Sequence, residues 1–232
     1  MIEWLQSHSL YWLLAIAAIF TFDWIMQKRE RLGLKKWYVA LALALLHVVY
    51  GVLTVKVFAV AEAGFNFEKA GSMSLFGAVF LMPLAYYLGA KLTKRSVADV
   101  FDIFSVTMIF TLLCARVNCL FAGCCLGSII PGTDVRFPTR EAELLFYAVF
   151  LVIMIPRVHR DRGQGRVYPI YMIAYGAFRA VTECFRESNN WQGIFHISHV
   201  WALISIVLGT IIYIIMRKRQ RTSEAKKHTK KS

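Results

Sequence analysis

The residues that could do chemistry fall in three short stretches. YGAFRAVTECFRE sets Tyr175, Arg179, Glu183 and Arg186 at intervals of four, four and three, which is one face of an α-helix. ARVNCLFAGCCLG carries Arg116 and Cys119, then Cys124 and Cys125 between Gly123 and Gly127. RFPTREAE adds Arg136, Arg140, Glu141 and Glu143. A guanidinium stays charged and binds two oxygens at once, so several together suit a phosphate; carboxylates beside them can orient them or take a proton. The glycine spacing permits close backbone approach or a turn that presents N–H groups to an anion. Cys119 and Cys124 do not form a CxxC pair, and vicinal cysteines seldom ligate one ion together, so no metal or cofactor is expected; a disulfide or reactive thiol stays open. His196 and His199 show no matched carboxylate that would complete a metal site.

These groups lie in a chain built for lipid. Of 232 residues, 58% are apolar and only 18% charged, yet the net charge is +13; mean hydropathy is +0.53. That composition excludes a disordered chain and argues against a water-facing globule. The basic residues alternate with apolar runs of about 20 residues instead of sharing a face, so a nucleic-acid partner is not expected. Apolar stretches at roughly 9–27, 37–61, 72–90, 97–115, 141–155, 167–185 and 197–216 predict an all-α polytopic bundle of about seven transmembrane helices. Residues 1–216 read as one domain without internal repeats, and 217–232 as a polybasic, disordered tail. The first apolar run follows Glu3 with no Lys or Arg and ends at a cationic stop, so it reads as a retained helix, not a cleaved signal.

Charge bias orients the bundle. Lys28 to Lys36, Lys91 to Arg95, Arg157 to Arg166 and the tail from Arg217 all fall on one side, which the positive-inside rule assigns to the cytoplasm. The N-terminus is then outside and the C-terminus inside. Lys56, Lys69, Arg116, Arg136, Arg140, Arg179 and Arg186 are left on the outer side, against the rule. Counted from Arg166, Arg179 lies about 20 Å across the layer. A central charge costs about 2.5–3.5 kcal/mol, so Arg179 and Glu183 must pair or face a wet cavity. The spare arginines suit a phospholipid head group; pairing for helix packing alone is the other reading. His47, near mid-layer, is expected to hydrogen-bond another helix, Asp99 and Asp102 to pair with Lys94 and Arg95, and Cys114 and Cys184 to act as small apolar residues.

The combination resembles the prolipoprotein diacylglyceryl transferase family over roughly residues 71–210. Gly71–Gly77 is similar to the segment before the family's His-Gly-Gly element, with Phe76 in place of the histidine often proposed as base. Ala115–Gly127 resembles the signature G-R-x-G-N-F-x-N-x-E-x-x-G, matching Arg116, Gly123 and Gly127, with Cys119 and Cys124 replacing asparagine and glutamate. Phe137–Glu143 resembles H-P-[ST]-Q-x-Y-E, with Phe137, Arg140 and Ala142 as departures. Tyr175-Gly176 through Arg179, Glu183 and Arg186 is the closest match, and Ser198-His199 resembles the pair that opens the last span.

The resemblance implies a multi-pass enzyme of the bacterial cytoplasmic membrane. Such an enzyme moves diacylglycerol from phosphatidylglycerol to a cysteine thiol of a lipoprotein precursor at the outer face. Arg116 and Arg179 would clamp the phosphate, with Glu183 as the third catalytic residue. Glu183 and Glu143 would orient the arginines or accept the thiol proton, Arg186 would guard the mouth, and Tyr175 would bond the head group or an ester carbonyl. Gly123, Gly127, Cys119 and Cys124 would line the substrate site. Two alternatives stand beside this one: a membrane thiol protein using Cys119, Cys124 and Cys125 for redox or metal handling, and a noncatalytic anionic-lipid-binding relative.

Overall fold

The computed structural model describes residues 6–65, 73–160, 164–186 and 196–229. Among these the chain is helical: α1 (Ser9–Gln27), a single turn α2 (Arg29–Leu32), α3 (Trp37–Glu62), α4 (Phe76–Leu92), α5 (Val97–Ala122), α6 (Thr139–Arg160), α7 (Val167–Glu183) and α8 (Ile197–Thr229). Five helices, α1, α3, α5, α6 and α8, are long and apolar enough to cross a membrane; α4 is a shorter apolar helix. The chain is therefore a multi-pass membrane bundle, though its helices are less uniform than the apolar stretches suggest. The stretch expected at 97–115 continues as helix to Ala122, so Arg116 and Cys119 sit in its last turns. The stretch expected at 167–185 stops at Glu183.

α5 is the centre of the bundle and packs against α1, α4, α6 and α7. Every residue from Val100 to Ile109 is buried, which a helix achieves only when neighbours cover all its faces. Ser96 caps its start by accepting from Asp99 N. α7 and α8 form the most intimate pair. A Cβ on Gly176 would stand 2.7 Å from the Ala202 carbonyl oxygen, so only glycine lets these two backbones come so close.

Buried polar groups tie the helices together. Pro83 lacks the N–H that would bond Val79 four residues earlier. The Tyr168 hydroxyl donates to that free Val79 carbonyl across the α4–α7 contact. His47 on α3 meets Thr107 on α5 at 3.2 Å, the interhelical bond expected of it. The two aspartates behave differently from expectation. Asp99 accepts from Arg31, at 2.8 and 2.6 Å, and Asp102 accepts from the backbone N–H groups of Gly165 and Val167. A carboxylate placed there satisfies orphan donors at the start of α7 and favours its dipole, which Lys94 or Arg95 could not offer.

α8 also departs from expectation, because it continues as helix through Thr229 where an irregular tail from 217 is expected. Arg, Lys, Gln, Glu and Ala dominate that stretch, all are good helix formers, and no Gly or Pro interrupts it after Gly209.

Candidate functional site

At one end of α5, α6 and α7 a chain of alternating charges is buried. Arg116 on α5 bridges to Glu143 on α6 through its Nε. The other oxygen of Glu143 accepts from Arg179 Nη1 on α7 at 2.6 Å. Arg179 Nη2 lies 2.7 Å from Glu183 Oε2 one turn on, and Glu183 Oε1 faces His196 Nδ1 at 3.2 Å. All five residues are buried, none exposed by more than 6%. Ser198 adds a hydrogen bond to Glu183. The charges here cannot shed their penalty to water, so each needs its partner. Among the described residues Arg179 Nε is buried without a hydrogen-bond partner; a donor of that kind is a place for a substrate oxygen.

The expected helical pair Arg179–Glu183 is thus present, and it is one link of a network spanning three helices. Glu143, read from the resemblance as orienting the arginines, is brought in from 36 residues away; His196 was not legible as a partner and supplies the link to Glu183 that its sequence neighbourhood did not show. Glu62, at the end of α3, lies within electrostatic reach of Arg179 and Glu183; nothing in its sequence context marks it.

Aromatic rings wall the inner side. Tyr175 is buried between Tyr171 and Tyr147, stacked at 5.5 and 6.1 Å between centroids. Phe76 meets Tyr175 edge-on at 5.7 Å, so the position expected to carry a base carries a ring instead. Gly71 and Ser72 of the same segment, and Lys69, lie outside the described residues.

The outer side is built from the loop after α5. Gly123 ends the helix in the left-handed region at φ 64°, and Cys125 takes the same region at φ 60°, uncommon for a residue with a side chain. Thr139 Oγ1 holds this turn by donating to the Cys125 carbonyl at 3.1 Å. Residues 127–137 then double back: Gly127 bridges Arg186 and Ile129 bridges Arg136, and Phe137 stacks on Phe185 at 4.3 Å. A Cβ on Gly127 would stand 2.0 Å from the Phe137 carbonyl oxygen. Of the two roles open to this glycine, the structure shows close backbone approach.

Arg186 is consequently not on the helical face of Arg179. The chain leaves α7 at Glu183 to pair with the 127–128 segment, because Ser128 N donates to the Phe185 carbonyl. Arg186 Nη2 points at Cys125 Sγ, 3.0 Å away. Arg116 Nη1 approaches Cys119 Sγ at 3.9 Å, and the sulfurs of Cys119, Cys124 and Cys125 all lie within 4.8 Å of one another. The Cys125 thiol is held well below the ordinary thiol range, by a hydrogen bond from the Cys119 thiol and then by the Arg186 and Arg116 charges, against burial; burial pushes Cys124 up. Cys125, which the sequence offered only in the thiol alternative with Cys119 and Cys124, thus lies beside both of them. Arg136 donates to the Gly127 carbonyl, and Arg140 turns to Glu141 at 3.5 Å, away from the network. Cys184 is exposed, not an apolar filler, with its sulfur 3.5 Å from His199.

Comparison with known proteins identifies the family. The profile of the family described as prolipoprotein diacylglyceryl transferase matches residues 4–215. A phosphatidylglycerol–prolipoprotein diacylglyceryl transferase of Dehalococcoides mccartyi is 20% identical over 91% of this chain and 90% of its own length. One from Clostridium tetani is 22% identical over 63% of this chain and 65% of its own, and one from Erwinia tasmaniensis is 32% identical over 41% and 35%. With its profile matched across nearly the whole sequence, the chain belongs to the prolipoprotein diacylglyceryl transferase family.

Proposed function

We infer that this protein transfers a diacylglyceryl group from phosphatidylglycerol to a cysteine thiol of a lipoprotein precursor. The observation that carries the reading is the buried bridge Arg116–Glu143–Arg179, two guanidiniums fixed on either side of one carboxylate. In the reaction a thiolate sulfur attacks the glyceryl carbon, a C–S bond forms, and the C–O bond to phosphate breaks. Glycerol phosphate leaves with the electron pair. Charge grows on the phosphate oxygen during that step, so preorganised cations in a dry site stabilise the transition state. Arg116 and Arg179 fill this role, with Arg179 Nε as a donor ready for the phosphate; Glu143 and Glu183 position them. Tyr175 lies where a head group or ester carbonyl would rest, and Arg186 stands at the outer edge with Gly123, Gly127, Cys119 and Cys124.

The same reading places α4 and α7 with the five long helices as spans, seven in all. The N-terminus is then outside, the C-terminus is cytoplasmic, and the membrane is the bacterial inner one. Incubating detergent-purified protein with phosphatidylglycerol and a lipobox peptide tests the activity. Glycerol phosphate is released by the wild type and not by Arg179→Ala. A wild type that retains phosphatidylglycerol without turnover would make it a lipid-binding relative instead.

A further inference from the structure

The thiol step needs something to remove a proton from a group of pKa about 8.5. Phe76 offers no base, and Glu143 and Glu183 are both engaged by guanidiniums. The three cysteines beside Arg116 provide another route. We propose that Cys119, Cys124 and Cys125 hold a zinc ion whose fourth coordination position takes the acceptor cysteine, so that the ion generates the attacking thiolate. This inference rests on the transferase reading above.

The geometry suits the ion. Zinc binds thiolate at about 2.3 Å and prefers a tetrahedron, which sets sulfur–sulfur separations near 3.8 Å. The three sulfurs already lie within 4.8 Å of one another. Cys124 is exposed and Cys125 is on the loop, so drawing in by about 1 Å asks only for side-chain rotation of groups that no helix confines. Among the described residues no imidazole or carboxylate joins the group. Three protein ligands are the pattern of a catalytic zinc site, which keeps one position for an exogenous ligand, whereas a structural site closes with four.

Charge and position agree. Three thiolates and a divalent cation carry one net negative charge, and the Arg186 and Arg116 guanidiniums lie against two of the sulfurs. Outer partners of this kind orient metal ligands and balance their charge. The exposed Cys124 faces water, while Cys119 touches the arginine that reaches Glu143. A thiol bound at this point stands between the aqueous side and the phosphate clamp. Copper(I) would be satisfied by the three sulfurs alone and leave no position for a substrate; zinc has one, and no redox chemistry.

The step balances without an oxidant. The acceptor thiol binds as thiolate and its proton passes to water. Its sulfur then attacks the glyceryl carbon, the C–O bond breaks, and glycerol phosphate leaves with the electron pair. The product thioether is a weak ligand and departs, with zinc unchanged in oxidation state.

Cobalt(II) substitution of the chelator-stripped, full-length protein tests the site apart from activity. Binding of one cobalt per chain should give a sulfur-to-cobalt charge-transfer band and intense tetrahedral d–d bands. A lipobox peptide should shift the d–d bands, and its Cys→Ser version should not. Cys124→Ser, a change at an exposed position, should weaken binding at least tenfold, and Cys184→Ser should not alter the spectrum. Stripping zinc should stop glycerol phosphate release, and zinc should restore it. The proposal is overturned if cobalt gives no thiolate bands, if the peptide leaves them unmoved, if mass spectrometry finds a disulfide among the three cysteines in active protein, or if metal-free protein works at full rate. The last result would leave the transferase reading intact. Thiolate bands that respond to peptide in a protein releasing no glycerol phosphate would sink that reading and keep the metal site.

Discussion

Glu143 places one oxygen against each of two buried arginines. Glutamine at this position would keep the shape and remove the charge, leaving Arg116 and Arg179 as buried cations with no anion between them. Breaking a buried pair in this way costs about 3–5 kcal/mol, so Glu143→Gln should lower the thermal midpoint clearly. It should also cut glycerol phosphate release by about a hundredfold or more, since the donors aimed at the leaving phosphate lose their alignment. A variant with wild-type turnover would remove Glu143 from the site. Arg179→Lys keeps the charge but not the planar fork that reaches Glu143 and Glu183 at once. It should lose activity while keeping more stability than Arg179→Ala, as turnover and thermal unfolding on the same samples would show. Arg179 and Glu183 were legible because i,i+4 spacing puts them on one helix face and their depth demands a partner. Glu143 and Arg116 could be singled out as types. Their pairing depends on how α5, α6 and α7 pack, which no local pattern encodes. The three cysteines could be named together, but their convergence could not be read, because a vicinal pair looks unable to converge; the left-handed turns at Gly123 and Cys125 bring the second thiol back toward Cys119.

At the scale of elements, two contacts carry opposite expectations. Tyr168→Phe removes the donor that satisfies Val79, whose usual partner is missing at Pro83. A buried carbonyl left alone costs about 1–3 kcal/mol. Restoring the N–H with Pro83→Ala should be worth more in the Tyr168→Phe background than in the wild type, a coupling that a double-mutant cycle of unfolding free energies measures. Additive effects would show that Tyr168 and Pro83 act separately. Gly127→Ala should force Gly127 and Phe137 apart, open the 127–137 hairpin and displace Arg186 from Cys125, lowering transfer by about tenfold. Gly89→Ala, where a Cβ meets nothing within 4 Å, should be neutral in the same assay. Apolar periodicity and length read the helices well, but not their ends. α5 outlasts its apolar run because Arg116 is neutralised inside the bundle, and α7 ends early because its exit pairs with the hairpin.

The whole molecule divides its +13 charge unevenly. On the proposed orientation the basic clusters after α1, α4, α6 and α8 face the cytoplasm; Arg116 and Arg179 hold Glu143, and Arg136 and Arg186 hold the loop after α5. This predicts that a membrane-impermeant thiol reagent, applied to intact cells carrying a protein without its native cysteines, labels Ser7→Cys and Thr133→Cys but not Thr222→Cys. Labelling of Thr222→Cys alone would invert the orientation. The composition made membrane class and basicity legible at once, whereas the depth and coupling of the charges needed the packed bundle. The central claim, that the buried arginines release a phosphate while a thiol gains the lipid, is tested most directly by one mass measurement. Purified protein, phosphatidylglycerol and a lipobox peptide should yield diacylglyceryl-modified peptide and glycerol phosphate in equal amounts, and neither with Arg179→Ala. Unmodified peptide after prolonged incubation with folded, metal-replete wild type would contradict the account.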